Sequence, residues 1–179
     1  MPLPNAKRAL LVIDMQVGLF NGPDKPYQRE QVLDNINQLI RRARQAGAPI
    51  FAVRHTGAAD SPIAAGSPFW QLLPTLEVDE QQDYVLDKTR PNCFTGTGLA
   101  ERLHQALVSE LVIVGMKTQY CVDATCRAAG DLGFAARLVE DAHTCMDTPY
   151  LGARKIIDHH NTTLDGAFVT LARTADITF

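Results

Sequence analysis

Three reactive side chains in this sequence follow short apolar segments that are typical of buried strands. Asp14 ends the segment RALLVID, Lys88 ends YVLDK, and Cys121 lies a few residues past LVIVG. A thiol near the first turn of a helix is favoured as a thiolate by the helix dipole, and unpaired N–H groups in that turn can stabilise an oxyanion. An acid and an amine that converge on the thiol would supply proton transfer and charge stabilisation. The pattern therefore predicts nucleophilic catalysis by Cys121.

Each of the three residues also has a purely structural interpretation. Taken alone, Cys121 could be a small buried side chain, Asp14 could cap a turn after its strand, and Lys88 could be a solvated surface charge. The other three cysteines have no obvious base beside them and are interpreted as packing residues. The catalytic interpretation depends on whether the fold brings all three side chains together.

Strands and helices alternate along the chain, which is the pattern of a parallel sheet with helices on both faces. The segment 56–83 is rich in Pro, Gly, Ser and Ala and is predicted to be a long functional loop. With no repeat or linker, we expect one three-layer α/β/α domain over residues 1–179, with a central, mostly parallel sheet of about six strands. The predicted strands are 8–14, 49–55, 84–88, 111–115, 135–141 and 167–172, and the predicted helices are 28–46, 98–107, 119–132 and one that begins near Tyr150.

In an open parallel sheet, ligands bind outside the carboxyl ends of the strands. Asp14, Lys88 and Cys121 all lie at such ends in the predicted fold. The fold therefore predicts that the three side chains share one edge of the sheet.

Composition excludes several classes of protein. The chain has 179 residues, 46% of them apolar and 21% charged, which suits one domain with a full core. A net charge of −3 gives no electrostatic footprint for nucleic acid or an anionic membrane, and the apolar runs are too short to span a bilayer. The N-terminal residues show no signal-peptide cleavage pattern, so a cytoplasmic location is expected. The four cysteines have neither disulfide nor zinc spacing and are expected to be reduced.

Four motifs in this sequence together resemble one enzyme family. They are ALLVIDMQVGLF, DKTRPNCFTGTGLAERL, VIVGMKTQYCVDATCRAAGDLGF and LVEDAHT, and they occur in order over nearly the whole chain. The chain resembles the isochorismatase-like cysteine hydrolase superfamily, which contains nicotinamidases, N-carbamoylsarcosine amidases and isochorismatases. The resemblance implies an Asp-Lys-Cys triad at Asp14, Lys88 and Cys121, the residues reached above from their strand ends.

The mechanism that the resemblance implies is acyl transfer to Cys121. Asp14 would take the thiol proton, Lys88 would orient the acid, and the thiol would attack an amide-type carbonyl to give a thioester that water then hydrolyses. The backbone N–H groups of Lys117 and Cys121 would hold the oxyanion. The resemblance also implies a cis peptide bond between Met116 and Lys117.

The substrate is less well defined by the sequence. The presence of Cys121 favours a small-molecule amide, carbamoyl compound or ureide over the vinyl ether of true isochorismatases. Candidate pocket residues are Phe20, His55, Trp70 and Tyr120, although each could equally pack in a core or an interface. A vinyl-ether hydrolase, a thiol redox or binding protein that does not hydrolyse, and a silent oligomerisation partner remain as alternatives.

No metal, cofactor, nucleic acid or membrane partner is expected. Nicotinamidases of this superfamily bind a divalent ion through an Asp-x-His pair and further histidines, whereas the matching stretch here offers Arg54, His55 and Asp60. Three protein ligands are normal for a catalytic metal, so this set is too small, and nicotinamide is an unfavoured substrate. We expect a homo-oligomer, a dimer or tetramer, because Phe69 and Trp70 are large apolar residues in a loop flanked by polar residues.

Overall fold

Six strands form one sheet in the computed structural model, which describes residues 7–179. Every pair of neighbouring strands is parallel, and the order across the sheet is third, second, first, fourth, fifth, sixth. The predicted three-layer α/β fold is therefore confirmed. The strands are β1 (Arg8–Ile13), β2 (Ile50–His55), β3 (Tyr84–Lys88), β4 (Glu110–Met116), β5 (Ala135–Thr144) and β6 (Thr170–Ala172).

Helices cover both faces of this sheet. They are α1 (Val17–Phe20), α2 (Arg29–Gln45), α3 (Leu99–Gln105), α4 (Asp123–Asp131) and α5 (Ala153–Leu164). Side chains alternate between the two faces along β1 because successive residues of a strand point in opposite directions. Leu10 and Val12 pack with the apolar stripe of α2, whereas Leu11 and Ile13 pack with residues of α3 and α4. None of the helices within residues 7–179 is long and apolar enough to cross a lipid bilayer.

Several element boundaries differ from the sequence prediction. The short helix α1 was not predicted, because four residues are too few to show a helical period. Strand β5 continues to Thr144, since its register with β4 shifts after Ile113 and pairing resumes at His143. Helix α5 begins three residues after Tyr150, where the Asp147 carboxylate accepts the N–H of Ala153 at 2.7 Å.

A glycine allows the ends of the two central strands to come close together. Gly115, in β4, has φ +119°, and a Cβ atom there would lie 2.1 Å from the carbonyl oxygen of Ile13 in β1. Only glycine fits both the torsion angle and this distance. The chain leaves β1 toward β2 and later returns on the other side of β1 to form β4, so the crevice between β1 and β4 is the topological switch point of the sheet.

The long segment 56–83 lies against the residues that follow β1. Within this fully described segment the structure has no helix or strand beyond one isolated bridge, from Leu72 to Gln16. The N–H of Gly18 donates to the carbonyl of Phe69 at 2.8 Å, and the N–H of Leu73 donates to the carbonyl of Met15 at 3.0 Å. These hydrogen bonds hold the predicted loop beside the switch point of the sheet.

Candidate active site

The Lys88 ammonium lies at the centre of a cluster of reactive side chains. Its Nζ is 2.9 Å from Asp14 Oδ2, 3.0 Å from His55 Nδ1 and 3.2 Å from Cys121 Sγ. A lysine ammonium has three N–H groups, and here each has one acceptor. The fold therefore brings together the three residues that were singled out by their positions after strands, and it adds His55.

Sheet geometry explains how Lys88 reaches this position. Lys88 is the last residue of β3, the edge strand, and it pairs in register with His55 at the end of β2. Asp14 follows β1, one strand further along. Neighbouring strands are about 4.8 Å apart, so a long side chain is needed to reach from the edge strand to β1. Lys88 does so while only 2% exposed.

Asp14 has one engaged and one free carboxylate oxygen. The residue is 1% exposed and has a left-handed backbone with φ 53° directly after β1. Oδ2 accepts from Lys88, whereas the buried Oδ1 has no hydrogen-bond partner among the described residues. Burial raises the pKa of Asp14 above its usual range, although the Lys88 ammonium opposes this shift. The free oxygen of a carboxylate with a raised pKa is suited to accept a proton.

Cys121 lies in a π-helical turn, Thr118–Val122, between β4 and α4. The Met116–Lys117 peptide before this turn is cis, as the resemblance implied. Burial, followed by the charge of Asp14, raises the pKa of the Cys121 thiol to about 12, and Lys88 only partly offsets this. Burial and the Asp14 charge thus favour the neutral thiol, in contrast to the expectation of a dipole-stabilised thiolate. A carboxylate oxygen of Asp14 lies within 4.8 Å of the sulfur, which places a potential proton acceptor near the thiol.

A buried histidine fixes the turn that carries Cys121. His143 Nδ1 is 2.9 Å from Thr118 Oγ1, at the start of the turn, and its Nε2 is 2.8 Å from Asn161 Oδ1 in α5. Burial lowers the pKa of His143 to about 4, so the ring is neutral at physiological pH. Sequence reasoning missed this role, although His143 stands in the LVEDAHT motif and could have been found as an imidazole near a strand end.

A cavity of about 240 Å³ opens over Asp14 and Cys121. Of the four predicted pocket residues, His55 and Tyr120 line it. Tyr120 is 56% exposed at its mouth, and a second cavity of about 280 Å³ adjoins it there. The cavity is also lined by Leu19, Pro91 and Lys117. The sequence had assigned only a backbone role to Lys117 and no role to the other two.

Phe20 and Trp70 do not line this cavity. Phe20 is 5% exposed and packs in the apolar cluster beneath α2. The Trp70 ring is covered by the Arg54 guanidinium, 3.7 Å from the ring centre, and its Nε1 donates to Thr56 Oγ1 at 2.9 Å. Both aromatic residues therefore support the site from outside, since packing takes up the surfaces that were expected to face a ligand.

Gln16 holds the backbone of His55 from both sides. Its Nε2 donates to the carbonyl of His55 at 3.0 Å, and its Oε1 accepts the N–H of His55 at 2.8 Å. The same Nε2 donates to the carbonyl of Trp70 at 2.8 Å, so one fully buried amide joins the end of β2 to the loop 56–83. The sequence offered no signal for this role beyond the position of Gln16 two residues after Asp14.

The residues that match the metal-binding stretch of nicotinamidases do not fit a metal ion. Arg54 forms an ion pair with Asp87 at 2.8 Å, and Asp60 is exposed in the loop. Within residues 7–179, one group of His, Cys and acidic side chains has donors close enough for a metal: Asp14, His55 and Cys121. The Lys88 ammonium already contacts a donor atom of each, and a second cation there would be repelled.

Comparisons with known proteins agree on one family. A family model of the isochorismatase domain matches residues 8–172. A streptothricin hydrolase of Streptomyces noursei is 36% identical over 142 residues, which cover 79% of this chain and 51% of that protein. The uncharacterized isochorismatase family protein YddQ of Bacillus subtilis is 32% identical over 178 residues, covering 93% of this chain and 96% of YddQ.

Solved structures show the same likeness. One, described as an isochorismatase family protein, superposes with a TM-score of 0.88 at 36% sequence identity, covering 93% of this chain and 98% of the other. The chain spans about half the length of the streptothricin hydrolases that it matches, 51% of one and 56% of another.

Proposed function

Because this chain belongs to the isochorismatase domain family, we propose that it is a cysteine-dependent hydrolase of a small-molecule amide, carbamoyl or ureide C–N bond. The observation that carries the proposal is the contact of one ammonium, on Lys88, with both the thiol of Cys121 and the carboxylate of Asp14. A thiol beside a base, with the base oriented by a third group, is the arrangement that nucleophilic catalysis requires. The similarity to streptothricin hydrolases supports hydrolysis as the reaction class.

The first half of the proposed reaction forms a thioester. Cys121 Sγ attacks the substrate carbonyl carbon while its proton passes to Asp14 Oδ1, the oxygen without a partner. The backbone N–H groups of Lys117 and Cys121 stabilise the oxyanion that develops on the carbonyl oxygen. The tetrahedral intermediate collapses, the C–N bond breaks, and Asp14 returns the proton to the leaving nitrogen.

The second half releases the acid. Water attacks the thioester carbonyl as Asp14 accepts a proton from it, and the C–S bond then breaks. The proton on Asp14 returns to the sulfur, which restores the neutral thiol. Lys88 is an ammonium in the resting site: burial opposes its charge, but the net shift of its pKa is upward, and the Asp14 carboxylate is the main cause of the rise. No step uses a metal ion.

Substitution of the nucleophile tests this proposal. In an ammonia-release screen over amides, carbamoyl compounds and ureides, Cys121→Ala is expected to lower turnover by at least about a thousandfold, because the bond-forming atom is lost. The matched control is Cys126→Ala, which removes a fully buried thiol of α4 that lines no catalytic cavity. The control is expected to keep turnover within a few-fold, and both variants should retain the wild-type circular dichroism spectrum.

Other outcomes would select other functions. Substantial turnover by Cys121→Ala would exclude the thioester route. Hydrolysis of a vinyl ether with no activity on any C–N substrate would instead assign the chain to isochorismatase-type chemistry.

A further inference from the structure

One side chain in the catalytic cavity has a donor that the proposed mechanism does not use. His55 is partly buried at the end of β2 and lines the cavity together with Asp14, Tyr120 and Cys121. Gln16 fixes its backbone through two hydrogen bonds, so the ring has a set position. Its Nδ1 faces Lys88 Nζ at 3.0 Å. Its Nε2 has no hydrogen-bond partner among residues 7–179.

Lys88 determines which nitrogen of His55 carries the proton. Burial, followed by the neighbouring ammonium, lowers the pKa of His55, so the ring is neutral. An ammonium can only donate, so Nδ1 must be the acceptor of the Lys88–His55 hydrogen bond. A neutral imidazole has one N–H, which is therefore on Nε2. The contact with Lys88 thus leaves the neutral His55 ring with one N–H donor, at Nε2.

We infer that His55 Nε2–H recognises a hydrogen-bond acceptor on the acyl side of the substrate, next to the scissile carbonyl. This inference rests on the proposed function, because it names the chemical class of compound that the same cavity takes. An imidazole nitrogen of His55 lies within 4.8 Å of Cys121 Sγ and of a carboxylate oxygen of Asp14. The ring is thus close enough to the reacting groups for Nε2–H to meet an acceptor on the acyl side, within a few bonds of the carbonyl carbon that Cys121 attacks. An α-oxygen or a second carbonyl meets this requirement, whereas an ammonium group or a plain alkyl chain does not.

A matched pair of small amides tests this selectivity. Methoxyacetamide and butyramide have nearly the same shape, but only the former has an α-oxygen acceptor. Protection of Cys121 against iodoacetamide measures the binding of each compound without requiring turnover. The wild-type protein is expected to bind methoxyacetamide about fivefold or more tightly than butyramide, the effect of one hydrogen bond.

Two variants separate the cavity donor from the contact with Lys88. His55→Asn can still offer Lys88 an acceptor but has no group at the position of Nε2, and His55→Phe offers neither. Both variants are expected to lose the preference for methoxyacetamide. A preference that persists in either variant would overturn the inference, as would equal protection or no protection by the two compounds in the wild type.

The tautomer gives an independent readout. Nitrogen NMR of the wild-type protein labelled at histidine should show His55 Nδ1 unprotonated and Nε2 protonated at neutral pH, with the signals assigned from the His55→Asn spectrum. A protonated Nδ1 would overturn the inference whatever the activity. If the tautomer and the selectivity are as expected but no C–N bond is hydrolysed, the proposed reaction fails while the recognition role of His55 stands.

Discussion

At the scale of single residues, the two oxygens of Asp14 have different environments. Oδ2 accepts a hydrogen bond from Lys88, which fixes the carboxylate, and the buried Oδ1 has no partner in the described part of the chain. An orphaned buried oxygen is costly for stability, so its presence beside a thiol fits a proton-accepting role. Burial, which raises the pKa of Asp14, also makes it a stronger base.

The raised pKa of Asp14 predicts the acid side of the pH profile. Below this pKa the carboxylate is protonated and cannot take the thiol proton, so kcat/KM should fall as the pH decreases. Because the pKa is raised, the fall should be centred above about 3.9, the ordinary aspartate value. The measurement is kcat/KM against pH, with the fold checked at each pH. Asp14→Asn should lose most of the turnover at every pH, and an unchanged acid limb in that variant would remove Asp14 from the base role.

At the scale of elements, the close contact of β1 and β4 brings together Asp14 and Cys121, which follow these two strands. Gly115 allows that contact, and an added Cβ would meet the Ile13 carbonyl oxygen at 2.1 Å. The three atoms nearest to that Cβ all belong to the backbone of Ile13, so the overlap cannot be relieved by moving a flexible side chain. The two strands would have to move apart at their carboxyl ends, next to Asp14 and Cys121.

Gly115→Ala is therefore expected to lower the free energy of unfolding by about 2 kcal/mol or more, from strain at a positive φ and steric overlap. Denaturant titration measures this value. The matched control is Gly130→Ala in α4, where an added Cβ has nothing within 4 Å and φ is not positive. The control should be neutral or slightly stabilising, since alanine is the better helix former. Equal changes in the free energy of unfolding in the two variants would contradict a close contact between β1 and β4 at Gly115.

Much of this arrangement could be predicted from sequence, because strand ends in a parallel sheet share an edge. That rule and the family resemblance together predicted that Asp14, Lys88 and Cys121 lie close to one another. The roles of Gln16 and His143 were not predictable, since each depends on partners far away in the chain that no local pattern indicates. The assignment of Phe20 to the pocket is wrong, because from sequence alone a large aromatic residue fits a core and a cavity equally well.

At the scale of the whole molecule, we propose that the chain forms a homo-oligomer. Phe69 is 53% exposed, although its carbonyl accepts a hydrogen bond from Gly18 that fixes its backbone. A large apolar side chain held in an exposed position fits burial against a second subunit. Sedimentation at micromolar concentration should give at least twice the 19.6 kDa mass of the chain, and Phe69→Glu should shift the protein toward monomer. A wild-type monomer would refute the proposal.

Because Lys88 lies at the end of β3, the proposed activity requires this strand to stay paired with β2. Asp14 and Cys121 follow the two central strands, but Lys88 belongs to a five-residue strand that is hydrogen-bonded on one side only. The outermost strand of a sheet opens locally at a lower free-energy cost than the interior strands. Fraying of β3 would withdraw the ammonium and leave the carboxylate and thiol without their shared partner. Under the proposed function, catalytic competence would therefore depend on an edge strand and not only on the central strands.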